Sequence, residues 1–200
     1  MSSPIPSPVP IYRSSAMHSS SGYLELIIGP MYSGKSSRLV EIFKKCQFCN
    51  IPVVVINHDI DNRYDDELMS THDKVMVPCM KTTQLRKVWP LALGCEVILI
   101  NEGQFFDDLY EVVKEMVQMG KQVYVCGLDG DFERKRFGQI LDLIPLCDTV
   151  TKLTSICSLC RDGTKAIFSM RLTSEKEQTV VGSDNYKPVC RSCYEAHYVR

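Results

Sequence analysis

The stretch "YLELIIGPMYSGKSS", residues 23–37, decides the fold. Its first half is an apolar run of strand length that stops at Gly29-Pro30. Its second half fits G-x-x-x-x-G-K-[ST], with Gly29, Gly34, Lys35 and Ser36 in the fixed places, and a helical stretch follows from about Lys35 to Cys49. A strand before and a helix after form the context in which this pattern binds phosphate. Glycines let successive backbone N–H groups curl around a polyphosphate at the positive end of a helix, the lysine reaches the β and γ oxygens, and the serine hydroxyl ligates magnesium. Nucleotide binding is therefore expected on Gly29, Pro30, Met31, Tyr32, Ser33, Gly34, Lys35, Ser36 and Ser37.

The chain beyond this loop alternates strand and helix. "PVVVI" (52–56) and "EVILI" (96–100) are continuous apolar runs, the pattern of parallel strands covered on both faces, and "QVYVCG" (122–127) is a further β-branched run. Between the last two, "DDLYEVVKEMVQMG" places apolar residues at 109, 112, 113, 116 and 117 before a stop at Gly120, an amphipathic crossover helix. The expectation is an α/β fold, a P-loop doubly wound parallel sheet over residues 23–155, with a small zinc-binding lobe over residues 156–200. Ser and Pro fill 12 of the first 22 residues, where Arg13 alone is charged, so residues 1–22 read as a disordered tail. That tail has neither the apolar core of a signal peptide nor the repeated arginines of a transit peptide, and a cytoplasmic location is expected.

Composition narrows the partners. Lys plus Arg is 23 and Asp plus Glu is 24, so no global positive field draws this chain to nucleic acid or to an acidic membrane. Its apolar runs are far shorter than a bilayer span. Neither nucleic acid nor membrane is an expected partner.

Cysteine spacing carries the second strong signal. Cys157-x-x-Cys160 and Cys190-x-x-Cys193 are two tight pairs with 29 residues between them, each able to present two thiolates to one metal from a knuckle turn. Four sulfurs close a tetrahedron with no open position, so the zinc would be structural and would hold a lobe too short for a core of its own. The alternative is two unrelated reduced pairs. Cys46-x-x-Cys49 has no partner pair and reads as half-buried helix positions. Cys79, Cys95, Cys126 and Cys147 lie in apolar segments and read as core thiols of a reducing compartment.

Taken in order, "GPMYSGKS", "DNRY" followed by "THD", "NEGQFF", "GLDGDFERKRFG" and the two cysteine pairs resemble the thymidine kinases of the type II, cytosolic family, from about Leu24 to Tyr194. The resemblance implies transfer of the γ-phosphate of ATP to the 5′-hydroxyl of thymidine or deoxyuridine with Mg²⁺. It makes Glu102 the general base, and a carboxylate past the end of a parallel strand does face the ligand crevice of such sheets. Arg63 matches a family arginine near the phosphates. Substrate binding maps onto Met31, Gln104, Phe105, Leu128, Phe132, Phe137, Ser169, Val180 and Tyr186, with aromatic rings sandwiching the pyrimidine and a small pocket near Met31, Ser169 and Tyr186 for the 5-methyl group. "TVVGSDNYKPVC" resembles the loop that closes over the nucleoside, anchored by the zinc lobe. Feedback inhibition by dTTP and a homotetramer belong to the same resemblance.

The departures are specific. Ser169 stands where threonine is usual and Gln178 where an apolar residue is usual. The chain stops seven residues after Cys193, so degradation regulated through a long C-terminal tail is not expected. Asn101 replaces the aspartate that usually helps to hold magnesium beside Ser36. A unit charge roughly 5 Å from Mg²⁺ at an effective dielectric of about 20 is worth roughly 6 kcal/mol gross. Hydration cancels much of this, leaving a loss of about 1 to 3 kcal/mol, or roughly tenfold to a hundredfold in rate or metal affinity. A compensated natural variant, a deliberately weakened protein and a relative that only binds are the alternatives, and intact Lys35 and Glu102 argue against the last. Two other functions stay open on the residues: a kinase for another nucleoside or a nucleotide, and a nucleotide-gated, zinc-containing nucleic-acid binder.

Overall fold

The computed structural model describes residues 21–60, 68–70, 75–180 and 182–198. Most of the expected tail, together with Arg63, "DNRY" and "THD", lies outside the described residues.

The first half of the opening stretch is strand β1 (Tyr23–Ile28) and the second leads into helix α1 (Lys35–Phe48). Then come β2 (Val53–His58), the short antiparallel pair β3 (Leu68–Ser70) and β4 (Met76–Pro78), β5 (Met80–Thr82), a one-turn helix α2 (Trp89–Ala92) and β6 (Val97–Ile100). Helix α3 (Leu109–Gln118) crosses to β7 (Gln122–Gly127), and a 3₁₀ segment, Ile140–Leu146, precedes β8 (Thr149–Lys152). Six of these strands form one sheet in the order β5-β2-β6-β7-β1-β8, and every neighbouring pair is parallel.

Alternation along the strands builds two cores. Leu24, Leu26, Ile98, Ile100, Val123 and Val125 face α3 and the 3₁₀ segment, where they meet Leu109, Val112, Val113 and Met116. Ile27, Leu99 and Cys126 face the other way, against Leu39, Val40, Phe43 and Cys46 of α1. Both faces are thus covered, which is why these strands carry unbroken apolar runs. Cys46 does pack into this core while Cys49 is exposed. Of the four expected core thiols, Cys126 alone is fully buried. Cys79, Cys95 and Cys147 are half-buried, because each sits at a strand start or a connection rather than within the sheet.

A third, smaller cluster lies C-terminal to the sheet. The hairpins β9 (Ser155–Ile156) with β10 (Lys165–Ala166), and β11 (Phe168–Arg171) with β12 (Tyr186–Val189), pack with helix α4 (Arg191–Tyr198) around Cys157, Ala166, Met170, Val189, Cys190 and Tyr194. No described helix is long and apolar enough to cross a membrane.

Gly138 locks the connection after β7 against the tip of β6. Its φ is +58°, and a Cβ there would stand 2.0 Å from the carbonyl oxygen of Gln104. Gly138→Ala is expected to combine left-handed strain with a backbone clash that no side chain can relieve. It should destabilise the protein by about 2 kcal/mol or more. Denaturant unfolding measures this, and an unchanged midpoint would refute the contact.

Candidate functional site

Because the strands are parallel, β1, β2, β6 and β7 all deliver their C-terminal residues to one edge of the sheet. After β1 the loop 29–34 turns back into α1. Gly29 leaves no room for a side chain, since a Cβ would meet the carbonyl oxygen of Leu153 at 2.5 Å, and Gly34 takes a left-handed φ of +85° immediately before Lys35. No side chain caps α1, so its first N–H groups open into the loop. Lys35 Nζ lies inside the curl and donates to the carbonyl oxygen of Pro30 at 2.7 Å.

At the end of β6, Asn101 is 1% exposed and fully engaged. Its Oδ1 accepts from the Ser36 hydroxyl at 3.3 Å and from the Cys126 thiol at 2.9 Å, while its Nδ2 donates to Asn57 Oδ1, on β2, at 2.9 Å. Burial pushes the Cys126 thiol up to about 12, with the Glu102 carboxylate adding to the effect, so this group stays a neutral donor. The pair Ser36 and Asn101 offers two hard oxygen donors side by side, a set that suits Mg²⁺.

Glu102 follows in a left-handed conformation, φ +54°, which swings its side chain out of the strand line. Its Oε2 accepts from Gln104 Nε2 at 2.6 Å, and Gln104 Oε1 accepts the Leu128 N–H at 3.0 Å. Gln104 is thereby a brace between the β6 and β7 tips that aims the carboxylate. His58, stacked edge-on against Phe106 at 4.8 Å, accepts the Ile60 N–H on Nδ1, and burial holds its pKa below the usual value, opposed by the surrounding carboxylates.

A cavity of about 470 Å³ opens over this edge. Residues 31–37, from the loop and the first turn of α1, line one end, and all nine expected substrate residues line it with Glu102. Gly29 and Pro30 do not, being the buried base of the loop. Within the aromatic wall, Phe105 and Phe137 meet edge to face at 5.3 Å and 85°, and the Arg171 guanidinium lies 3.7 Å from the centre of the Phe132 ring. The Met31 N–H donates to Ser169 Oγ at 2.9 Å and ties the phosphate loop to β11.

Several lining or supporting residues were not expected. Asp131 accepts the Glu133 and Lys135 N–H groups on Oδ1 at 2.9 and 2.8 Å, and Gln178 Nε2 donates to its other oxygen at 2.8 Å. An aspartate two residues before its own N–H partner is a turn signal that the segment "DGDFE" does carry. Ile60, Gly130, Thr179 and Gly182 also reach the cavity without any mark in their sequence context. Asn57 and Arg171 have none either.

The four paired cysteines converge. Their sulfurs all lie within 4.8 Å of one another, with Cys160 at 3.7 Å from Cys190 and 3.4 Å from Cys193. A tetrahedron of Zn–S bonds of about 2.3 Å has edges of about 3.8 Å, so the set fits zinc. Burial opposes ionisation of Cys157, but N–H groups of Cys160, Cys190 and Leu159 outweigh it and bring that thiol to about 6. Contacts with Cys160 and Cys190 hold the Cys193 thiol well above its ordinary value, and Cys160, lowered by Cys193 but raised by Cys157 and Cys190, also lies above its own. Tyr194 of α4 carries the lobe to the cavity by donating to the Phe132 carbonyl at 2.7 Å.

Known proteins resemble this chain along most of its length. A family model described as thymidine kinase matches residues 22–194. The thymidine kinase of sheeppox virus is 42% identical over 174 residues, which are 86% of this chain and 97% of that protein. The cytosolic thymidine kinase of Cricetulus griseus is 43% identical over 174 residues, 86% of this chain and 73% of its own, and the Homo sapiens cytosolic protein is 42% identical with the same coverage. With the phosphate loop, the strand-tip carboxylate and the four-cysteine cluster all inside the matched span, the chain belongs to the thymidine kinase family.

Proposed function

We propose that the protein transfers the γ-phosphate of ATP to the 5′-hydroxyl of thymidine, or of deoxyuridine, giving the nucleoside monophosphate. The reading rests on one observation above the others: a continuous cavity joins Lys35 and Ser36 to Glu102 and the aromatic wall, so phosphate donor and flat acceptor have adjoining places. Thymidine phosphorylation is the activity that the family supports, which makes the protein a transferase.

The chain's own groups divide the work. N–H groups of the loop and Lys35 would hold the phosphates, and Ser36 with Asn101 would hold Mg²⁺, whose bound charge offsets that on the β and γ oxygens. Glu102, braced by Gln104, would accept the hydroxyl proton as that oxygen attacks phosphorus. The aromatic wall would exclude water from the base, and Met31 with Ser169 would bound the methyl pocket. Arg63 enters from the family resemblance as a charge near the transferring group. Zinc on Cys157, Cys160, Cys190 and Cys193 would be structural. A cytoplasmic location, inhibition by dTTP and a homotetramer complete the reading on the same resemblance.

Steady-state assays with ATP against a panel of nucleosides test the proposal directly, and equal turnover of purine nucleosides would overturn it. Glu102→Gln should lower kcat by roughly 10² or more while nucleoside affinity is nearly kept, the scale of a lost general base. Full activity in that variant would remove Glu102 from the role.

Asn101→Asp restores a charge beside Ser36. It should lower the Mg²⁺ concentration for half-maximal rate and raise kcat by up to about a hundredfold. A magnesium titration superimposable on the parent's would show that residue 101 does not act on the metal.

Metal analysis of the purified protein should find about one zinc per chain, the stoichiometry of a closed tetrathiolate. Cys190→Ser should release it and lower both thermal stability and thymidine affinity. A metal-free preparation with full activity and unchanged stability would contradict the structural role.

A further inference from the structure

Arg171 is 1% exposed, the largest of the fully buried side chains, and among the described residues no carboxylate lies within ion-pair distance of it. A buried guanidinium without an anion must be compensated by dipoles and π faces, or it will not stay buried. The compensation is local and one-sided. Nη1 donates to the carbonyl oxygens of Glu175 and Glu177 at 3.1 and 2.5 Å, and Nη2 donates to the Gln178 carbonyl at 3.0 Å and to the Tyr186 hydroxyl at 2.6 Å. The carbon of the guanidinium lies 3.7 Å from the centre of the Phe132 ring and 5.2 Å from that of Tyr186.

These partners belong to one loop and one fixed wall. Arg171 ends β11 opposite Tyr186, which starts β12, so the described residues 172–180 and 182–185 belong to the loop of this hairpin. Three of its carbonyls converge on one side chain, and the phenol that accepts from Arg171 also donates to the Val180 carbonyl at 3.2 Å. Val180, Tyr186 and Phe132 line the cavity, and Phe132 comes from the body of the protein. The guanidinium therefore joins the loop that bounds the nucleoside chamber to an aromatic wall of that chamber.

We propose that Arg171 is the positioning residue that holds the loop 172–185 closed over the acceptor, and that it sets affinity for the nucleoside while leaving the ATP end of the cavity untouched. This rests on the reading that the nucleoside occupies the aromatic chamber. The planar fork is essential, since a lysine ammonium is a single compact nitrogen that cannot reach both the carbonyl pair and the Tyr186 hydroxyl while lying flat on Phe132.

The test uses the full chain with Arg171→Lys, and zinc content and circular dichroism establish that it is folded. The KM for thymidine should rise about tenfold or more and the KM for ATP should stay within about twofold, a split that general destabilisation does not produce. Hydrogen exchange adds a readout independent of turnover, with the amides of residues 175–180 exchanging faster in the variant. Should Arg171→Lys fail to fold, Tyr186→Phe removes the phenol oxygen alone and should speed exchange at Val180 and raise the thymidine KM several-fold. Unchanged thymidine KM and exchange in a folded variant, or equal increases in both KM values, would overturn the inference. A parent that does not phosphorylate thymidine would instead sink the proposed function, which the parent control reads separately.

Discussion

The parallel direction of every pairing in the main sheet is the constraint on which the site depends. Six strands run the same way, so their C-terminal ends, and the polar residues that stop them, collect at one edge. The phosphate loop follows β1, Asn57 and His58 close β2, Asn101 and Glu102 follow β6, and Leu128 follows β7. Parallel strands also need crossovers of a dozen residues or more, and these supply α1 and α3, which cover the two faces and keep water out of the sheet. Reversing one central strand would remove its contribution to the cavity and expose an apolar face at the same time.

At that edge the asparagine at position 101 is part of a neutral set. Its carbonyl end receives the Ser36 hydroxyl and the Cys126 thiol, and its amino end is received by Asn57. A carboxylate in the same place would keep the first two donors but would present an acceptor to Asn57 Oδ1, so the Asn57 amide would have to turn round to donate instead. Such a turn is cheap for an isolated amide and less so for one that is 1% exposed. The tip is thus built around an uncharged residue on three sides, and the added attraction of an aspartate there for a metal works against a rearrangement at Asn57.

What the sequence shows and hides follows from where each signal originates. The loop 29–37 and the cysteine pairs depend on fixed local spacing, and both were legible residue by residue. The strands β1, β2, β6 and β7 were legible because they are buried on both faces. β8 was not, since as an edge strand it reads "TVTK" with most of its residues exposed, and β5 is three residues long. The cavity wall could be named by family resemblance but not from periodicity, because Phe105, Phe132, Phe137 and Tyr186 come from separate connections and from β12. Arg171 gave no sign at all. An arginine closing a short strand reads as a solvated end, and its interior place comes from tertiary contacts with the Phe132 and Tyr186 rings and the carbonyls of the following loop.

The small lobe is joined to the cavity through a short chain of contacts. Cys190 and Cys193 sit at the start and within the first turn of α4, so a metal there would fix that helix as well as the end of β12. From α4, Tyr194 reaches the Phe132 carbonyl, while Arg134, in the same connection as Phe132, stacks on the Tyr194 ring at 4.5 Å. From β12 the ladder passes to β11, whose Ser169 accepts the Met31 N–H of the phosphate loop. Disruption of the four-cysteine cluster would therefore loosen two walls of the cavity together, the aromatic wall at Phe132 and the junction at Met31. Both walls line the same cavity. The lobe thus contributes by holding the Phe132 wall and the Met31 junction in register with each other.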